Sequence, residues 1–219
     1  TIDMKLINKK GQSRNRVITL TTQTNKSGEQ NSLIKFSAPK NVSGTGLLTI
    51  EHQSKDDDQW LYLPALKRSR RISAANQTDP FMGTDFTYED LSTEDLQSFN
   101  YELITEEKLE GVDTFKIKAT PINQKEANAS GYDHRIIWVR KQDHIVTKVN
   151  YFNKQKVLAK TLTASKIKPI MNSSISRAHS VVMRNVKTQH STELSYGEYQ
   201  INQGIQSNQF STRSLERGW

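Results

Sequence analysis

Apolar and polar residues alternate with a period of two along nearly the whole chain, and this pattern limits the possible folds more than any motif does. Ile2, Met4 and Leu6 alternate with Asp3 and Lys5; Ile18 and Leu20 alternate with Thr19 and Thr21; Ile34 and Phe36 flank Lys35; Leu48 and Ile50 flank Thr49. The habit returns at Phe115, Ile117 and Ala119, at Ile137 and Val139, and at Ile145, Val149 and Tyr151. It continues at Val157, Ala159 and Thr161, at Val181 and Met183, and at Tyr199 and Ile201. Successive side chains of a strand point to opposite faces, so this period marks half-buried strands. Clusters such as Asn25-Lys26-Ser27-Gly28 and Asp56-Asp57-Asp58 read as the reversals between them. The pattern predicts roughly ten or eleven antiparallel strands, and a sheet of that size must cover its apolar face or close on itself. Helix signals are few. Thr87-Tyr88-Glu89-Asp90 fits a capping box leading into Leu91 and Leu96, and residues 207–219 fit a short helix bearing Phe210 and Leu215.

Composition narrows the function. Among 219 residues 34% are hydrophobic and mean hydropathy is −0.73, so no membrane-spanning segment is expected. Seven Phe, seven Tyr and three Trp supply enough bulk for an ordered core. Cysteine is absent, which excludes disulfides, thiolate metal sites and thiol nucleophiles. The five histidines show no paired ligand spacing, and no G-x-S-x-G elbow is present. Gly44-Thr45-Gly46 lacks the rest of a phosphate loop and reads as a bend at a strand start. Asp56-Asp57-Asp58 lacks the interleaved spacing of a calcium loop. Asp85, Glu89 and Asp90 resemble paired carboxylates only by proximity, and acidic residues at a helix start are ordinary. No catalytic residue, metal site or cofactor is expected, and the chain does not read as an enzyme. Net charge is +8, divided as +6 over residues 1–50, −5 over 51–100, 0 over 101–150 and +7 over 151–219. The basic residues are spread over strands and the acidic second quarter would repel phosphates, so no nucleic-acid partner is expected. An anionic membrane or an acidic partner fits the basic ends better.

One segment carries most of the functional information. Residues 56–91 read DDDQWLYLPALKRSRRISAANQTDPFMGTDFTYEDL. An aromatic strand bearing Trp60 and Tyr62 runs through Pro64 into the basic run Lys67, Arg68, Arg70 and Arg71. A polar stretch then leads to the apolar cluster Phe81, Met82, Phe86 and Tyr88. A loop this rich in large apolar groups must bury them. It either plugs its own core or forms a mobile gate that a greasy ligand displaces, with Gly83 as a hinge and Met82 able to repack. As a gate, Phe81 and Met82 would tolerate truncation at small cost. Four cations in five positions are expected to stay exposed, near the mouth of the cavity.

The strings W-L-Y-L-P-A-L-x-R-x-R-R-I and F-M-G-T-D-F-T-Y-E-D-L resemble the LolA-like outer-membrane lipoprotein-sorting proteins of Gram-negative bacteria, in the branch found beside RND/MMPL-type exporters. The opening M-x-L-x-x-K-x-G-x-x-R-x-R and the G-T-G-L-L at Gly44–Leu48 fit the same branch, and the resemblance spans about residues 1–165. It implies a mainly β fold: a half-open, curved antiparallel β-barrel around a hydrophobic cavity, with a few short helices as lid. It implies a single carrier-like domain over residues 1–219, a periplasmic location and an N-terminal helix upstream of Thr1. The implied function is a non-enzymatic carrier or chaperone that binds acyl chains of lipoproteins or other lipids. Trp60, Tyr62, Phe81, Met82, Phe86 and Tyr88 are then the candidate lipid contacts, and Arg68, Arg70 and Arg71 the candidate headgroup or partner contacts. Candidate partners are an inner-membrane RND/MMPL transporter or an outer-membrane acceptor, and the chain is expected to be a monomer. The alternative is a protein-binding accessory module of such an exporter, in which the cavity is only a core.

Overall fold

A computed structural model describes residues 1–53, 55–171 and 173–217. Thirteen strands form one antiparallel sheet: β1 (Ile2–Ile7), β2 (Ser13–Thr24), β3 (Gln30–Ala38), β4 (Gly46–Ile50), β5 (Asp58–Leu63), β6 (Arg68–Arg71), β7 (Phe99–Leu109), β8 (Val112–Pro121), β9 (Tyr132–Arg140), β10 (Val146–Asn153), β11 (Leu158–Pro169), β12 (Ser176–Asn185) and β13 (Ser191–Tyr196). Their spatial order is β6-β5-β4-β3-β2-β1-β13-β12-β11-β10-β9-β8-β7. The two halves of the chain therefore meet where β1 pairs with β13, with Met4 opposite Leu194. Among the described residues there are two short α-helices, α1 (Gln124–Ala129) between β8 and β9 and α2 (Thr212–Arg217) near the C-terminus. The architecture is the mainly β, open curved sheet that the alternation demands.

The alternation sorts side chains onto two faces. Ile2, Met4 and Leu6 of β1, Ile34 and Phe36 of β3, Leu47 of β4, Val149 and Tyr151 of β10, Met183 of β12 and Leu194 of β13 share one buried cluster on the inner face. Leu33, Leu48, Phe210 and Leu215 form a second cluster on the outer face, where the C-terminal segment lies against β3, β4 and β5. Gly46 is required there, because a Cβ would stand 2.6 Å from Leu215 Cδ1 and 3.4 Å from the Ile34 carbonyl oxygen. This is close approach of another element, whereas Gly44, at φ +82°, makes the bend expected at the start of the strand.

Three strands lie outside the expected pattern. β6 is almost wholly basic and shows no apolar alternation, whereas β7 alternates at Phe99, Tyr101 and Leu103 but is an edge strand with most residues exposed. The strand expected around Tyr199 is instead irregular, and Ser191–Tyr196 takes the place beside β1. Tyr199 stacks on Tyr196 at 5.7 Å and its hydroxyl donates to the Ala178 carbonyl at 2.7 Å, which consumes its apolar ring without a ladder. The capping box forms, with the Thr87 N–H donating to Asp90 Oδ2 at 2.8 Å and the Asp90 N–H to Thr87 Oγ1 at 3.2 Å. It opens only a single turn, Glu89–Leu91, and Leu96 lies beyond it, exposed. The C-terminal helix forms over Thr212–Arg217 and bears Leu215, but Phe210 lies before it, just after the turn Ser207–Gln209; both side chains are buried, and Trp219 lies outside the described residues.

Candidate functional site

The inner face of the sheet is filled by the chain's own connection between β6 and β7. This loop is built from short turns at Ala74–Asn76, Phe81–Gly83, Glu89–Leu91 and Leu96–Ser98. Its apolar centre closes on itself: the Phe81 N–H donates to the Phe86 carbonyl at 2.8 Å, and Thr84 Oγ1 donates to the Phe81 carbonyl at 2.7 Å. Met82 and Gly83 both adopt positive φ, which turns the chain tightly enough to drive Phe81 inward. Phe81 is 1% exposed, 5.7 Å from the rings of both Phe36 and Tyr88. Phe86 and Tyr88 are buried in the same cluster, and Met82 packs against it half-buried. Arg16 spans sheet and loop, donating to the Met82 carbonyl at 2.7 Å while its guanidinium stands 5.6 Å from the Phe36 ring. A fully buried Phe81 makes truncation there costly, in contrast to the small cost expected of a loosely packed gate residue.

The loop is anchored by ion pairs that sequence reading alone did not single out. Its acidic residues meet cations carried on the inner face of the sheet. Lys160 Nζ on β11 reaches Asp90 Oδ2 at 2.6 Å and the Asp85 carbonyl at 3.1 Å; the side chains of Lys160 and Asp90 are 8% and 2% exposed. The Tyr132 hydroxyl donates to the other oxygen of Asp90 at 2.8 Å. Arg135 on β9 holds Glu89 at 2.8 Å and also pairs with Glu94, and its guanidinium lies over the rings of Phe99, Tyr132 and Tyr151. Glu89 accepts further bonds from Ser130 Oγ at 2.6 Å and the Gly131 N–H at 2.8 Å. Asp85 faces His190 Nδ1 at 2.7 Å and accepts from Thr192 Oγ1 at 2.8 Å. Burial, reinforced by the Asp90 charge, pushes the Tyr132 and Tyr151 hydroxyls well above the usual tyrosine range, so both stay protonated. The three carboxylates that superficially resembled an acid–base pair are thus each committed to a cation or hydroxyl.

The aromatic candidates divide between the two faces. Trp60 and Tyr62 alternate with inward-facing Leu61, and they pack on the outer cluster of Leu48, Phe210 and Leu215. They do not join Phe81, Met82, Phe86 and Tyr88. Tyr62 lines an outer groove of about 870 Å³ with Leu33, Pro64 and Ile205. The basic run is exposed as expected: Lys67, Arg68, Arg70 and Arg71 lie on and beside edge strand β6, just before Ile72 carries the chain into the inner cluster. Arg71 is tied to Asp58, and Ser69 to Glu216. Burial raises the Asp58 pKa, but the bonds from Lys55, His52 and Arg71 outweigh it and hold the carboxyl at about 2. Among the described residues no group of three or more His, Asp or Glu side chains is arranged to hold a metal ion.

Where the loop returns toward β7, a polar cleft of about 430 Å³ opens between Asp57, Glu94, Asp95, Lys125 and Arg135. Burial pushes the Asp57 carboxyl up to about 6, with Glu51 and Asp95 adding repulsion. The folded state therefore holds a proton more tightly than the unfolded chain between the ordinary pKa of 3.8 and about 6. Stability is lost through that interval as pH rises. Asp57→Asn is expected to raise the Tm at pH 8 and to leave it unchanged near pH 3, a difference that thermal melts across the range would read.

The sheet thus has an apolar inner face that is occupied by an ionically anchored loop. Solved structures share the fold closely. A domain from Vibrio parahaemolyticus bearing the name outer membrane lipoprotein-sorting protein superposes with a TM-score of 0.92 at 34% identity, over 99% of this chain and 90% of that chain. A DUF1329 family protein from Desulfovibrio piger gives 0.91 at 27% identity, over 98% and 89%. A LolA superfamily protein from Nitrosomonas europaea gives 0.73 at 15% identity, over 96% and 87%, a likeness of fold alone. Residues 28–217 match a family model described only as an uncharacterized protein. No curated protein matches the chain. The chain belongs to the outer-membrane lipoprotein-sorting family of the Vibrio parahaemolyticus domain, and its fold is LolA-like.

Proposed function

We propose that the protein is a periplasmic, non-enzymatic carrier that binds acyl chains, of a lipoprotein or another lipid, on the inner face of the sheet. The observation that carries this reading is the nature of the plug. Phe81, Met82, Phe86 and Tyr88 fill an apolar surface contributed by most of the strands, yet the segment bearing them has its polar anchors at Asp85, Glu89, Asp90 and Glu94. Ion pairs can exchange partners or take up water, so the loop can leave as a unit while the sheet stays intact. An acyl chain entering in its place would bury about 0.8 kcal/mol per methylene, before the ordering costs of association. Phe81, Met82, Phe86 and Tyr88 are the residues that would trade self-contact for lipid. Arg68, Arg70 and Arg71, beside the start of the loop, would meet a partner protein. The family name borne by the Vibrio parahaemolyticus structure agrees with this reading, and so does the absence, among the described residues, of any helix long and apolar enough to cross a membrane.

Native mass spectrometry of the protein as purified tests it. Adducts with the masses of acylated species, lost on delipidation and regained on adding a long-chain fatty acid, are expected. A protein that takes up no acyl compound under any of these conditions would instead favour a protein-binding exporter module.

A further inference from the structure

The antiparallel topology gathers positive charge at one end of the sheet in a way the linear sequence hides. Strands β2-β1-β13-β12-β11-β10 are neighbours, so the β1–β2, β12–β13 and β10–β11 turns lie side by side at the same end. Six strands span about 24 Å at ~4.8 Å each. The three turns read NKKGQ, NVKTQH and NKQKV, and none contains an acidic residue. Each is held by an asparagine: Asn8 Oδ1 accepts from the Lys10 N–H, Asn185 Oδ1 from the Thr188 N–H and Asn153 Oδ1 from the Gln155 N–H, at 2.9–3.0 Å. Lys9, Lys10, Lys187 and Lys156 stand exposed on these turns. Between them two apolar side chains point outward, Val157 at 59% and Val186 at 44% exposure. The connections at the opposite end carry Glu29, Glu51, Asp143 and Glu110 among their lysines, so the cationic bias belongs to one end only.

We infer that this three-turn end docks on the surface of an anionic phospholipid bilayer. Lysines on stiff turns reach the headgroup layer, where the surface potential attracts them, and Val157 and Val186 enter the interface between them. The three turns themselves carry no carboxylate, and Glu126 on α1, at the same end, is paired with Lys125. The same end holds the loop anchors: His190, which ends the β12–β13 turn, faces Asp85, and Lys160, two residues into β11 from Leu158, holds Asp90. Docking would therefore bring the anchored side of the loop to the lipid, which links this surface to the carrier reading without depending on it.

Co-sedimentation with phosphatidylglycerol–phosphatidylcholine vesicles provides the test. The protein is expected to pellet with these vesicles at low salt, to be released at high salt and to ignore pure phosphatidylcholine. The variant Lys10→Glu, Lys156→Glu, Lys187→Glu is expected to lose more than about tenfold in partitioning. The variant Lys26→Glu, Lys166→Glu, Lys168→Glu has the same net charge but alters the other end, and it is expected to bind nearly as the parent does. Equal losses in both variants would mean non-specific attraction and overturn the assignment. So would failure of the parent to bind anionic vesicles, the result expected if the surface serves an acidic protein. A fluorescent fatty-acid probe in detergent-free buffer separates the two readings: the turn variant should still bind it if the cavity carries acyl chains.

Discussion

Lys160→Met is expected to lower the free energy of unfolding by about 3–5 kcal/mol, because it strands the Asp90 carboxylate without a cation. Asp90 is 2% exposed at its side chain and would keep only the Tyr132 hydroxyl and the Thr87 N–H. Adding Asp90→Asn to that variant should restore most of the loss, since removing both members of a buried pair is often nearly neutral while removing one is not. Urea unfolding of the single and double variants forms the cycle. Additive effects would show that the pair does not act as a unit. A second readout concerns the loop itself. In the single variant, proteolytic cleavage between residues 73 and 98 is expected to accelerate before the sheet loses its structure, as suits a segment that opens locally. Uniform cleavage along the chain would mean that loop and sheet unfold together.

These anchors show why the fold was more legible in the sequence than the site. Strand existence follows from local alternation, and Ile2, Met4 and Leu6 declare their face without reference to any other element. The ladder from β1 to β5 is therefore readable residue by residue. β6 was hidden because it carries three cations and no apolar side chain; β7 alternates at Phe99, Tyr101 and Leu103, but as an edge strand it leaves most of its side chains exposed and declares no buried face. The anchors were hidden for a different reason. Lys160 lies on the same face as Leu162, and Arg135 on the same face as Ile137, so each places a cation on an apolar stripe. That placement has meaning only once an acidic partner is known to cross it. The charge profile held the complementary half of the clue, since the loop lies within the acidic quarter of the chain and both cations lie in the sheet that follows. Trp60 and Tyr62 illustrate the limit from the other side. Alternation with Leu61 separates them from the inner face, but which face is the inner one depends on the long-range packing of the C-terminal segment.

The double variant Phe81→Ala, Met82→Ala is expected to separate plug from core by moving two observables in opposite directions. Phe81 is 1% exposed, so stability should fall by about 3–5 kcal/mol for the lost phenyl and its residual void, with a smaller addition from half-buried Met82. Affinity for a fluorescent fatty-acid probe should rise about tenfold, because the void opens on the face where an acyl chain would lie, beside Phe36 and Tyr88, and the chain no longer has to displace the ring. Probe should also raise the Tm of the variant more than that of the parent, since a ligand stabilises the state that binds it. Phe210→Ala supplies the control. Phe210 is 6% exposed in the outer cluster, so its truncation should lower stability through the same physics without any gain in probe binding. If both variants lose stability and neither gains probe, the inner face holds a permanent core, and the loop that fills it is not a gate.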